Sequence, residues 1–376
     1  MTDYYTIQKI DAFAVRVPID KPVYTSFGTM SDRRTLLVRI EDRDGVVGWG
    51  EIWCNFPSDA TEYRAKLLAK EIAPRLIDRV VNAPDEVFTS LTRDLEILAN
   101  QSGEIGPFAQ ILAGIDIALW DISAKRARMP LWKFLGGQSK SVPIYASGFS
   151  PSDVTNLIPV AIDDGHIAFK IKAGFGIEAD INTVALARKL LGPKAKLMVD
   201  VNQAWSLQDA ITNIGIMSQF NLTWIEEPIR SNSSNTDWEV LAEASLVPLA
   251  AGENLNREHD FVNMIGSRTI RYIQPDIAKW GGVSGCSVIA NKINQSGLCY
   301  CPHWLGGGVG LLASAHVLAA NPGCGMLEVD INPNPMRELL LNSQISIVNS
   351  MLILSNVPGI GVEPPRDLLD RYLVRF

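Results

Sequence analysis

Lys170 and Lys172 stand two residues apart, and Asp200 and Asn202 repeat that spacing. Glu226-Glu227, Glu253, Asp276, His303 and Glu328 follow in turn. Alternate residues along a strand share a face, so each spaced pair points one way. These side chains suit two tasks, moving a proton and holding a cation. Singly, each has an ordinary explanation. A lone Asp caps the next helix, a lone Glu makes an ion pair, and a His after Pro302 packs. Together they differ, because each ends a short apolar run and charges rarely sit there without a partner. Clustered carboxylates repel one another unless something positive lies between them. A divalent cation is the economical answer. Asp200, Glu226 and Glu253 make an all-oxygen donor set, which favours Mg²⁺ over zinc or copper.

The elements that must position these residues recur regularly. Short apolar runs fall at 142–147, 168–172, 196–201, 223–226, 249–252, 272–274, 299–301 and 326–329. They alternate with helical segments at roughly the length of one β-α unit of a (β/α)₈ barrel, where C-terminal strand ends converge on one face. The fold class expected is α/β, a (β/α)₈-type TIM barrel with an α+β capping domain. The cap would occupy residues 1–138, completed by the tail 356–376, and the barrel 139–355. Within the cap, residues 7–19 read as a strand, and 35–40 and 46–52 flank the turn Asp42-Arg43-Asp44-Gly45. Apolar spacing predicts helices over 61–79, from Pro84 to about 98, and over 108–127. After Val357-Pro358-Gly359-Ile360-Gly361, a short helix folds back on the cap.

Lys170-Ile171-Lys172, Asp200-Val201-Asn202, Trp224-Ile225-Glu226-Glu227-Pro228, Gly252-Glu253-Asn254, Gln274-Pro275-Asp276 with Gly281-Gly282, Pro302-His303 and Glu328 occur in that order. With Ala113-Gly114-Ile115-Asp116 in the first domain, this pattern resembles the mandelate racemase subgroup of the enolase superfamily across nearly the whole chain. The resemblance implies one Mg²⁺ per subunit on Asp200, Glu226 and Glu253. It implies Lys172 as a base, with Lys170 beside it keeping its pKa near neutral. His303 would face the other side of the substrate, oriented by Asp276. A protonated Glu328 would hydrogen-bond the substrate carboxylate, and Asn202 would lie near metal or substrate. The reaction implied is abstraction of the proton next to a carboxylate, a use of Lys or His with Mg²⁺ that is a known pattern of this superfamily. Dehydration of an acid sugar is the preferred outcome. Racemisation, epimerisation and aldarate-lactone cycloisomerisation stay open. Cap loops 24–32 and 53–58 would choose the substrate, with Tyr24 and Trp53 as candidates.

Bulk properties narrow the partners. Hydrophobic residues make up 47% and charged residues 20%, with a net charge of −7 and no long basic run, so nucleic acid is not expected. No stretch reads as a membrane span or a leader, and a cytoplasmic homo-oligomer acting on a small carboxylate is expected. Cys54, Cys286, Cys299, Cys301 and Cys324 form no C-x-x-C pair, and reduced thiols are expected. Of His166, His259, His303 and His316, only His303 ends a strand, which disfavours a zinc hydrolase. A metal-binding barrel without catalysis would be the rival outside enzymology.

Overall fold

A computed structural model describes residues 4–26, 28–341 and 345–374. The chain opens with a four-stranded antiparallel sheet of β1 (Tyr5–Thr25), β2 (Gly28–Asp42), β3 (Val47–Ile52) and β4 (Val80–Val81), ordered β3-β2-β1-β4. Strand β2 alternates between two cores. Leu36, Val38 and Ile40 pack in the cap, whereas Leu37 joins the barrel cluster. The helices are α1 (Ala60–Leu67), α2 (Pro84–Ser102), α3 (Ile105–Arg126) and the short α4 (Leu131–Phe134). The helix expected over 61–79 is regular only to Leu67, then runs through a π turn and a 3₁₀ turn containing Pro74, which has no N–H to donate. Helix α2 begins at Pro84 and ends on Gly103 in the left-handed conformation.

Helix α3 corrects one expectation. By length and composition it is apolar enough to cross a bilayer, although no such stretch was expected. Here it is the packing partner of both domains: a Cβ on Gly50 would lie 1.9 Å from the Gly114 carbonyl oxygen, so β3 and α3 touch backbone to backbone.

Eight parallel strands follow: β5 (Ser141–Phe149), β6 (Ala168–Lys172), β7 (Lys196–Asp200), β8 (Ile225–Glu226), β9 (Leu249–Ala251), β10 (Tyr272–Ile273), β11 (Cys299–Tyr300) and β12 (Leu327–Asp330). Each pairs with the next from β5 to β11, and β12 pairs back onto β5. The remaining seam is held by the Glu328 N–H donating to the Pro302 carbonyl at 3.2 Å. A disulfide between Cys299 and Cys324 spans the same seam, so the expectation of five reduced thiols is corrected for this pair. Cys54, Cys286 and Cys301 are free and buried. The bridge was not legible because its partners are 25 residues apart and meet only when the barrel closes.

A hairpin of Ile345–Val348 and Met351–Leu354 pairs antiparallel with β5. The tail helix Arg366–Tyr372 leads to Leu373, which bridges Val15 of the cap. The expected loop 24–32 is instead the tip of a long hairpin, with Val23 opposite Met30 and Thr25 opposite Gly28. Residues 1–3, Phe27, 342–344 and 375–376 lie outside the described residues.

Candidate active site

Parallel register brings the acids together. Lys172 pairs in register with Asp200 and Asp200 with Glu226, so the ends of β6, β7 and β8 stand side by side. Directly after Asp200 and Glu226 the chain turns sharply, with Asn202, Gln203 and Glu227 at positive φ of 48°, 65° and 40°. Such left-handed residues are uncommon outside glycine and cluster where a site dictates the backbone. Gly252, just before Glu253, has φ 134°, and a Cβ there would meet the Gln274 nitrogen at 2.9 Å. A side chain at 252 would push Glu253 away from its neighbours.

The charged groups form one continuous network at the barrel mouth. Lys172 Nζ lies 2.6 Å from Asp200 and 3.0 Å from Asn202 Oδ1. Lys170 Nζ lies 2.6 Å from Glu226, 2.9 Å from Glu328 and 4.0 Å from Asp200. His303 Nδ1 is 2.7 Å from Asp276, while its Nε2 is 2.7 Å from Glu253 and 3.7 Å from Glu328. Asp276 is fixed from behind by the N–H groups of Ala278 and Lys279. Trp224 Nε1 and Gln274 Nε2 donate to the second oxygen of Glu226. Every predicted proton carrier and carboxylate therefore belongs to the network.

Among the described residues no three acidic, imidazole or thiol groups form a ready cage for an ion. The acids are turned onto lysine and histidine instead. Three buried carboxylates on neighbouring strand ends, drawing Lys172, Lys170 and His303 onto themselves, are a hard oxygen donor set of the kind that fits Mg²⁺.

Electrostatics corrects two expectations. Lys172 was expected near neutral beside Lys170; burial, the largest single influence, and Lys170 do lower its pKa, but the Asp200 charge and hydrogen bond together with Glu328 leave it raised. Glu328 was expected to be protonated. Although burial pushes it up, Lys170, His303 and the Ser147 hydroxyl bring it down to about 2, so it is ionised. Burial would lower His303, yet Glu253 and Glu328 raise it to about 10. Glu253 is held well below the usual carboxylate range by His303 and Lys279 against its burial. Burial and the adjacent Glu253 push Glu227 to about 8.

A cavity of about 430 Å³ opens over this network, reached by Lys172, Asn202, Glu253 and His303. The cap contributes Thr25, Trp53, Asn55 and Phe56. Trp53 lines the cavity, with Lys279 Nζ 4.9 Å from its ring centre. Tyr24 does not: it is 51% exposed on the hairpin, and its neighbour Thr25 faces the cavity. Alternation along a strand reverses the two residues, a consequence hidden while the segment was read as a loop. Sequence reasoning also missed Lys279 and Arg230. Arg230 lies four residues beyond the end of β8 and Lys279 six beyond the end of β10, where no periodicity marks them.

Two families match the chain: residues 155–368 match the enolase C-terminal domain-like family, and residues 8–136 match the mandelate racemase / muconate lactonizing enzyme N-terminal domain. D-galactarolactone cycloisomerase of Agrobacterium fabrum is 30% identical, over 94% of this chain and 95% of that protein. A mandelate racemase/muconate lactonizing enzyme structure from Bordetella bronchiseptica superposes with a TM-score of 0.92 at 40% identity, covering 98% of this chain and 99% of that one. L-talarate/galactarate dehydratase of Salmonella typhimurium, solved with magnesium and L-lyxarohydroxamate, has a TM-score of 0.87 at 27% identity and covers 100% and 94%. The chain belongs to the enolase superfamily, as an enzyme of its mandelate racemase and muconate lactonizing enzyme group.

Proposed function

We propose that this enzyme removes the proton next to the carboxylate of an acid sugar and expels the β-hydroxyl, giving a 2-keto-3-deoxy acid. The observation that carries the reading is one cavity reached by both Lys172 and His303, with Asp276 fixing the imidazole from behind. Asp200, Glu226 and Glu253 would hold one Mg²⁺ per subunit, which when bound supplies positive charge for the enediolate.

The chain's own groups do the rest. Lys172 gives its extra proton to solvent once Asp200 is engaged elsewhere, and as the neutral amine it accepts the α-proton as the carbon–hydrogen bond breaks. His303 holds its Nδ1 proton on Asp276, so Nε2 carries the mobile one. That proton goes to the β-oxygen as the carbon–oxygen bond breaks, and water leaves. The resulting enol rearranges to the keto acid. Ionised Glu328 keeps Lys170 and His303 charged. Trp53 and Phe56 supply apolar walls that restrict water.

A second reading, cycloisomerisation of an aldarate lactone, is favoured by the 30% identity to the Agrobacterium enzyme. The test uses a panel of acid sugars and aldarate lactones with Mg²⁺ in deuterated water, followed by mass spectrometry. A product lighter by one water, carrying one solvent deuteron and lost on adding a chelator, is expected. An isomeric product with no water lost selects the second reading. No α-hydrogen exchange with any acid sugar or lactone removes both.

A further inference from the structure

We propose that the Cys299–Cys324 bridge is a reversible latch that holds His303 in register with Glu328, so that a dithiol slows turnover by opening it. The effect on turnover rests on the α-proton-abstraction reading above. Around the barrel, β5 to β11 pair in ladders and β12 pairs back onto β5. Between β11 and β12 there is no ladder. Among the described residues one backbone hydrogen bond crosses that seam, from the Glu328 N–H to the Pro302 carbonyl. Below it the Met326 N–H donates to the Cys301 sulfur at 3.4 Å, and sulfur is a weak acceptor. The next rung down is covalent, the bridge itself.

Both site residues at this seam stand four residues beyond their cysteine, His303 after Cys299 and Glu328 after Cys324. The bridge therefore sets two equal stretches side by side, and at their far ends His303 Nε2 lies 3.7 Å from Glu328. The same Glu328 oxygen accepts the Trp304 N–H at 3.3 Å, and the other lies 2.9 Å from Lys170. A slip of one residue moves a strand by about 3.3 Å and turns its side chains to the opposite face. Either change takes Glu328 away from the imidazole. The bridge can be reached from one side, because Cys324 is exposed while Cys299 is buried. A thiolate of the dithiol attacks the Cys324 sulfur, the sulfur–sulfur bond breaks, and Cys299 leaves as a thiolate that takes a proton. The second thiolate of the dithiol then closes on the first and releases Cys324 as a thiol. The dithiol gives up two electrons and two protons, and the bridge gains them. Gly325 lies so close to the Tyr300 carbonyl oxygen that a Cβ would come within 1.6 Å of it. The two backbones thus touch beside the bridge, which keeps the released thiols near enough to close again.

The experiment treats the folded, Mg²⁺-loaded enzyme with dithiothreitol, maps the thiols by alkylation and mass spectrometry, and measures turnover before and after. Reduction should lower kcat by about fivefold or more, with KM held within about twofold. Removing the dithiol in air should restore both the bridge and the rate. Cys324→Ser should match the reduced wild type and ignore the dithiol. In enzyme labelled with ¹⁵N-histidine, reduction should move the ring signals of His303 and leave those of the exposed His259 in place. Five free thiols in the untreated enzyme, or a bridge that the dithiol cannot open in the folded state, overturn the proposal. Equal kcat in the two forms, or a loss that merely tracks the unfolded fraction in circular dichroism, does the same. If neither form exchanges the α-hydrogen of any acid sugar or lactone, the reaction reading fails instead. The His303 signals then decide the latch alone, and their staying unmoved removes it.

Discussion

Two sets of buried acids in this chain have been given opposite kinds of partner. At the barrel mouth, Asp200, Glu226 and Glu253 meet mobile cationic side chains, Lys172, Lys170 and His303. Where the two domains join, the acids meet mostly backbone. Asp121 accepts the N–H of Trp49 at 3.0 Å and of Ile360 at 2.7 Å, with Lys125 beside it. Asp116 takes both the N–H and the hydroxyl of Ser284. Glu51 takes the N–H groups of Gly307 and Gly310 and the Thr35 hydroxyl. Backbone donors cannot leave without unfolding something, whereas lysine and histidine can swing away. The first set is therefore built to exchange partners and the second to keep them.

That contrast can be broken by substitution. Lys172→Ala and His303→Asn should each lower turnover by about 10³-fold or more, some 4 kcal/mol of barrier. With Mg²⁺ present, unfolding free energies should change by less than about 1 kcal/mol. Steady-state rates and urea melts on the same preparations decide it, and near-normal turnover in either variant removes that residue's role. Asp121→Ala should do the reverse. It strands two buried N–H groups and Lys125, costing about 3–4 kcal/mol of stability, while kcat of the folded fraction stays within about twofold. A stable Asp121→Ala protein would erase the distinction between the two sets.

The smallest effect sharpens the comparison through pH. His316 is buried in the joint, its Nδ1 accepting the Trp132 N–H at 2.9 Å and its Nε2 donating to the Ile360 carbonyl at 3.1 Å. The bond accepted from Trp132 needs the neutral ring, and burial lowers the pKa from 6.5 to about 4 against the opposing pull of the Ile360 carbonyl. A depressed histidine gives stability that is full above pH 6.5 and lost as pH falls toward 4, by roughly 3 kcal/mol. Stability measured from pH 7 to 4 should fall more steeply in the wild type than in His316→Asn by that amount. Parallel curves would mean that His316 titrates normally.

Much of the mouth was legible in the sequence because barrel strands are short and apolar and the next residue is polar. Lys170, Lys172, Asp200, Glu226 and Glu253 follow from that rhythm alone. What it could not convey was which charges would pair. Lys172 lies nearer Asp200 than any one-dimensional spacing implies, so its basicity moved opposite to expectation. Tyr24 failed for a different reason. The hairpin extends through it, and pairing across the strands, set by Met30 and Gly28 on the partner, decides which side chain looks inward. Arg230 and Lys279 stand on loops, where side-chain direction has no period to read. The cysteine bridge needed the ring closed before its two halves could meet.

The Glu51 carboxylate has a consequence for exchanging parts between relatives. It reaches from the cap's third strand to the amide nitrogens at the start of helix Gly308–Ala320, only a few residues after the His303 imidazole. Helix N-termini attract anions, so this acid is a clamp supplied by a different domain. A chimaera that grafts a foreign cap onto this barrel must bring its own acid to that spot. Without one, the loop carrying His303 would lose its anchor, and a specificity swap would be misread as a catalytic defect.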